Sequence, residues 1–148
     1  MDATSLLDRS LTLMRGQGER VTAPRERVLR AVITLGGHPD AEQVHTAVQQ
    51  DGGAHLATTY RTLQHLCRLG LLEHVHSDHA PVRYHLAPQV TGVTHGHAAC
   101  RSCGTVIDIP AEQLSAVRDH LHGRDFEMDL GHSALSGTCG ACAQGGDG

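Results

Sequence analysis

The sequence predicts an α+β chain, an N-terminal winged helix-turn-helix followed by a small mixed α/β region, and three observations carry that expectation. Residues 5–72 show four successive helical hydrophobic patterns separated by glycine stops. Residues 71–86 switch to two short extended runs, and from residue 95 onward strand-like runs surround a single helical pattern. With 148 residues the chain makes one domain or two small ones. Tyr60, Tyr84 and Phe126 are its only aromatics and it has no Trp. The core must therefore rest on Leu, Val and Ala, with metal ligation as a natural supplement.

Residues 5–18 place Leu6, Leu7, Leu11, Leu13 and Met14 at roughly helical spacing, with glycine at the exit. Thr22 reads as the N-cap of a second helix with Pro24 in its first turn. Val28, Leu29, Val32, Ile33 and Leu35 form its buried stripe, which Gly36-Gly37 ends. Pro39 pushes His38 out of the helical region, and Asp40 with Gln43 resembles a capping box opening a third helix through Val44 and Val48, closed by Asp51-Gly52-Gly53. Residues 56–72 set Tyr60, Leu63 and Cys67 on one side and Arg61, Gln64 or His65, and Arg68 on the other, with Gly70 as the stop. Cys67 reads as a small buried hydrophobe. The runs at 71–76 and 82–86, separated by Ser77-Asp78-His79-Ala80-Pro81, complete the winged helix as a hairpin.

Ala87-Pro88-Gln89 is the expected boundary, dividing the chain into residues 1–87 and 88–148. In the second part, strands are expected at 98–100, 105–109, 126–130 and 132–138, and a helix at 112–122 with Leu114, Val117 and Leu121 on one face. Residues 145–148 read as a glycine-rich tail.

The formal charge of −4 looks wrong for a nucleic-acid binder until it is divided. Residues 1–70 carry eight Arg against seven acids, and residues 71–148 four Arg against nine, so affinity for phosphate belongs to the first half. No window reaches the roughly 18 apolar residues of a membrane span, and the start lacks a basic n-region, so the chain reads as cytosolic. Five Cys in a reducing compartment are poor material for a disulfide framework.

Four of those cysteines form two C-x-x-C pairs, Cys100/Cys103 and Cys139/Cys142, enough for a closed tetrahedral zinc site that staples the second half. Closure of each pair to a disulfide on zinc loss is the redox alternative. Just upstream, His95 and His97 are an i, i+2 pair whose rings share one face of an extended segment. On the fourth helix, Arg61 offers base or phosphate contact, Thr58 and Thr59 offer hydroxyls, and Tyr60 and Gln64 add polar contacts; following two shorter helices and preceding a hairpin, this reads as a recognition helix.

Arg20-Val21-Thr22-Ala23-Pro24-Arg25, Ala57-Thr58-Thr59-Tyr60-Arg61-Thr62-Leu63 with Gly70-Leu71, His95-x-His97-x-x-Cys100-x-x-Cys103 and Cys139-x-x-Cys142 together resemble the ferric uptake regulator superfamily of metal-dependent repressors, over about residues 10 to 142. The resemblance implies a homodimer with a winged-helix domain and an α/β dimerisation domain, binding a palindromic operator in double-stranded DNA. It implies Arg20 near the minor groove, Arg25 on the backbone, and Tyr60 and Arg61 in the major groove. It implies structural Zn2+ at the four cysteines and a second divalent transition ion (Zn2+, Ni2+, Fe2+ or Mn2+) at His38, His85, His95, His97 and Asp108. His85 departs from the carboxylate common at its position. His74, His76 and His132 match a further site of nickel-responsive members, whereas Thr94 and Gly96 stand where another family site has ligands. Four imidazoles and a carboxylate suit transition ions better than Mg or Ca. The remaining histidines, His45, His55, His65, His79, His120 and His122, read as surface or helix-face residues.

The function expected is therefore a metal-responsive transcriptional repressor, with no small-molecule substrate and no membrane. A peroxide-sensing repressor of the same superfamily is the nearest alternative. A zinc hydrolase lacks a general base with motif context, Glu112 and Glu127 having none, and leaves the winged helix unexplained; a metal-buffering protein without DNA activity predicts stoichiometric metal binding and no salt-dependent DNA affinity.

Overall fold

The computed structural model describes residues 1–145, so residues 146–148 of the expected tail lie outside the described residues. The chain divides into two compact units, Met1–His74 with Arg83–Gly92, and Val75–Val82 with Val93–Gly148.

The first unit contains α1 (Ala3–Gly16), α2 (Ala23–Leu35), α3 (Ala41–Gln50) and α4 (Leu56–Arg68), the base of the hairpin β1 (Leu72–Ser77) and β2 (Ala80–Leu86), and a short α5 (Pro88–Thr91). Asp2 caps α1 by accepting from the Ser5 N–H at 2.9 Å, which starts the helix earlier than residue 5. Thr22 stands at the N-cap of α2 without a side-chain capping bond, leaving Pro24 to preset the first turn. The capping box of α3 forms as expected: the Gln43 N–H donates to Asp40 Oδ1 at 2.8 Å and the Asp40 N–H to Gln43 Oε1 at 2.9 Å. At the end of α4 the Leu71 N–H bonds Leu66 O and the Gly70 N–H bonds Cys67 O, a Schellman closure with Gly70 at φ +68°. That closure stops the helix at Arg68.

Helix α2 packs on α1, α3 and α4. Met14, Val28, Leu29, Val44, Val48, Leu63, Leu66 and Leu71 are closed to solvent at the centre, each side chain of this kind contributing about 1.5–3 kcal/mol. Tyr60, expected on the buried side, is 40% exposed. Cys67 behaves as the expected small hydrophobe: burial, then Glu73, pushes its thiol up to about 11.

The residues before α3 run as a short edge beside β2, where Asp40 bridges Arg83 antiparallel and the Tyr84 N–H donates to Pro39 O at 2.9 Å. The same register sets His38 opposite His85. The first unit continues past the expected boundary at 87/88, because Pro88 opens α5 instead of ending the fold. That helix packs on α1, and Arg9 Nε donates to Gln89 O at 3.1 Å.

The second unit is built on a sheet of order β4–β3–β5, with β3 (His95–Cys100) central, β4 (Val106–Pro110) antiparallel to it and β5 (Ala134–Gly137) parallel. A 3₁₀ turn (Ala111–Leu114), α6 (Ser115–His122) and α7 (Gly140–Gln144) complete it. The helix expected at 112–122 is thus split. Leu114 is its buried residue, whereas Val117 is 47% exposed. The strand expected at 126–130 does not form; the Phe126 N–H returns to Leu121 O, Phe126 is exposed, and only Leu130 turns inward. The strand expected at 132–138 shortens to β5, because Asp129 accepts from the His132 N–H and from Ser133 Oγ and makes a turn there.

Candidate metal centres and nucleic-acid interface

Cys100 ends β3, Cys103 sits in the following turn, and Cys139 and Cys142 bracket the start of α7. The turn is set by Gly104 at φ +73° and by the Cys100 N–H donating to Thr105 O at 2.9 Å. The four sulfurs lie within 4.8 Å of one another, and Cys103 Sγ is 3.7 Å from Cys139 Sγ. Zn–S bonds of about 2.3 Å in a tetrahedron place sulfurs ~3.8 Å apart, so the cluster fits zinc. The N–H of Cys103, and then those of Cys139 and Ser102, draw the Cys100 thiol down to about 6. Cys142, hydrogen-bonded to Cys139 and then Cys103, is pushed up to about 12. A cation among the four sulfurs would favour the thiolate form of each.

Alternation along β3 separates two chemistries. His95 and His97 share a face with Asp108, which is the register partner of His97 on β4. Asp108 Oδ1 lies 3.4 Å from His95 Nε2 and 4.0 Å from His97 Nε2, and the two rings are 4.8 Å apart. The opposite face carries Ala98 between Ile107 and Leu135, both more than half exposed in the single chain. Gly96 lies on that second face for want of space: a Cβ there would stand 2.5 Å from Leu114 Cδ1.

In the first unit, the rings of His38 and His85 are 5.0 Å apart. His85 Nδ1 is 3.1 Å from Leu86 O, which assigns the ring proton to Nδ1 and the lone pair to Nε2. Glu73 Oε2 stands 3.8 Å from that Nε2 and is mostly buried. Sequence reasoning missed Glu73, although it is the only acid in the two hairpin strands. His74 belongs to the first unit and His76 to the second, while His132 Nδ1 pairs with Asp129 Oδ2 at 2.9 Å.

On α4, Tyr60, Arg61 and Gln64 are exposed and Thr58 is half-buried. Thr59, expected at the DNA, is fully buried, with its hydroxyl 3.1 Å from His45 Nδ1. It holds α3 to α4 and cannot reach a phosphate. Arg20 is exposed. Arg25 is half-buried, its Nη1 donating to Glu19 Oε2 at 2.9 Å and to Arg20 O at 2.6 Å.

The model of the ferric uptake regulator family matches residues 16–132. The chain belongs to the ferric uptake regulator family. The family is one of metal-responsive transcriptional regulators, and this chain is a member of it. It is 26% identical over 138 residues to the peroxide-responsive repressor PerR of Staphylococcus aureus, covering 92% of this chain and 90% of the relative. The Helicobacter pylori ferric uptake regulator superposes with a TM-score of 0.75 at 19% identity, over 97% of this chain and 95% of that one. The Pseudomonas aeruginosa regulator, solved with manganese, gives 0.69 at 26% identity over 88% and 98%. The ferric uptake regulator fold thus accounts for both units, and among the described residues no helix is long and apolar enough to cross a membrane.

Proposed function

We propose that this member represses genes of metal homeostasis, with zinc held permanently by Cys100, Cys103, Cys139 and Cys142 and a second divalent transition ion sensed by His38, His85, His95, His97 and Asp108. The observation that carries the reading is the His95–His97–Asp108 face of β3, a strand whose other end feeds the four-cysteine cluster. A bound transition ion supplies the positive centre that imidazole nitrogens prefer. His85, with its proton fixed toward Leu86 O, offers Nε2, and Glu73 beside it returns the negative charge that a carboxylate at position 85 would bring. Ligands drawn from both units make one arrangement of the winged helix the better binder, and moving a 1:99 ratio to 99:1 takes about 5.5 kcal/mol of preference.

Arg20, Arg25, Thr58, Tyr60, Arg61 and Gln64 contact the operator, and a second copy covers the apolar face of Ala98, Ile107 and Leu135, so that two recognition helices meet successive half-sites. His74, His76 and His132 supply a further nickel-type site. The test is binding to DNA from the protein's own promoter region, titrated separately with buffered Zn2+, Ni2+, Fe2+ and Mn2+. At least one ion raises affinity 100-fold or more (about 2.7 kcal/mol); equal binding with and without every ion removes the sensing role.

Peroxide sensing is the second reading, favoured by Asp108 at 3.4 Å from His95 and by the resemblance to PerR. On that reading, peroxide treatment of the iron-loaded protein would leave one added oxygen atom on a ligand histidine, the other peroxide oxygen leaving as water. Intact-mass and peptide spectra after peroxide treatment distinguish the two readings.

A further inference from the structure

Within the first unit, a contact unconnected with the metal ligands ties three segments of the winged helix together. Glu19 lies in the link between α1 and α2, Arg25 in the first turn of α2, and His65 on α4. One oxygen, Glu19 Oε2, accepts from Arg25 Nη1 at 2.9 Å and lies 3.3 Å from His65 Nε2. Arg68 Nη2 stands 3.4 Å from His65 Nδ1 on the same helix. Arg25, Glu19 and His65 are 23%, 32% and 22% exposed, open enough for an incoming group to reach them.

Burial works to raise the pKa of Glu19, but the bonds from Arg25 and His65 outweigh it and hold the carboxylate below its usual range. Glu19 is therefore an anion seated among donors from two helices. A non-bridging phosphodiester oxygen makes the same bonds to guanidinium and imidazole groups. Arg61, Gln64, His65 and Arg68 all lie on α4, so the cluster adjoins the helix read above as the DNA-binding element.

We propose that Arg25, His65 and Arg68 form a phosphodiester-binding cluster for the DNA backbone, and that Glu19 occupies its oxyanion position in the free protein and is displaced on DNA binding. The inference rests on the assignment of α4 to DNA. Because a phosphate carries no base identity, the competing carboxylate weakens binding to every sequence alike. Glu19 thus suppresses non-specific binding, while discrimination is left to Arg61 and Tyr60.

The test compares the unaltered chain with Glu19→Gln, both zinc-loaded, on a promoter duplex and on a random-sequence duplex of equal length. Whichever of buffered Zn2+, Ni2+, Fe2+ or Mn2+ supports promoter binding is kept constant, and fluorescence anisotropy is read across salt concentrations. Glu19→Gln binds both duplexes about tenfold tighter, with a salt slope steeper by about 0.9, one additional phosphate contact. Adding His65→Ala to Glu19→Gln removes most of that gain. Unchanged or weaker binding by Glu19→Gln, with melting temperature and zinc content preserved, overturns the proposal. Should that variant not fold, Glu19→Asp, whose carboxylate is one methylene shorter, gives a smaller tightening, and no tightening overturns the proposal equally. Arg61→Ala is measured alongside: if it weakens promoter binding while the Glu19 variants do nothing, only the role of Glu19 falls, and if it leaves promoter binding unchanged, the DNA-binding role of α4 falls with it.

Discussion

Single residues decide where each chemistry can sit. Gly96 separates His95 from His97 on β3, and its missing side chain admits Leu114 beneath the sheet. Replacing it with valine drives a branched side chain into a buried leucine and costs about 1–3 kcal/mol, an overpacking penalty measurable by chemical denaturation of the zinc-loaded protein. The imidazole pair was legible in the sequence because an i, i+2 spacing has one geometric meaning in a strand. Glu73 was not, since its significance comes from a neighbour twelve positions away on the opposing strand, 3.8 Å from its carboxylate. Thr59 misled for a related reason: a hydroxyl on a polar-looking helix face is equally suited to an internal bond, and His45 supplies one.

Elements show the same division between local and non-local information. The capping box of α3 and the stop of α4 are written in adjacent residues, and both form as their sequence motifs dictate. Gly70→Ala should therefore cost about 1–2 kcal/mol, the penalty for a side chain in the left-handed region, read as a lower denaturation midpoint. Its added Cβ would also approach Gln89 Nε2 at 2.8 Å. The mixed region was harder to read. Hydrophobic residues at 126–130 suggested a strand, but Asp129 and the return of Phe126 to α6 use the backbone groups that a ladder needs. Helix α7 went unforeseen because five residues after Cys139 carry no hydrophobic period, and the cysteines fix its place instead. Chelation of zinc should therefore loosen β5 and α7, which hold Cys139 and Cys142, before the helices of the first unit. Hydrogen exchange read segment by segment checks this, with protection lost around residues 134–144 and retained in α2 and α4.

For the whole molecule, function follows from dividing labour between two units with different charge and different ligands. Arginines concentrate in the winged helix, and the two C-x-x-C pairs lie in the second unit. The central claim is that the histidine set reports metal to the DNA-binding helices while the cysteine set maintains structure. His95→Ala tests it most directly, with zinc content, oligomeric state and metal-dependent promoter binding measured on one preparation. The account predicts a folded, zinc-containing dimer whose affinity for the promoter no longer responds to added metal. A variant that still responds as the unaltered chain does, or one that loses its zinc and its dimer, would contradict the separation of sensing from structure.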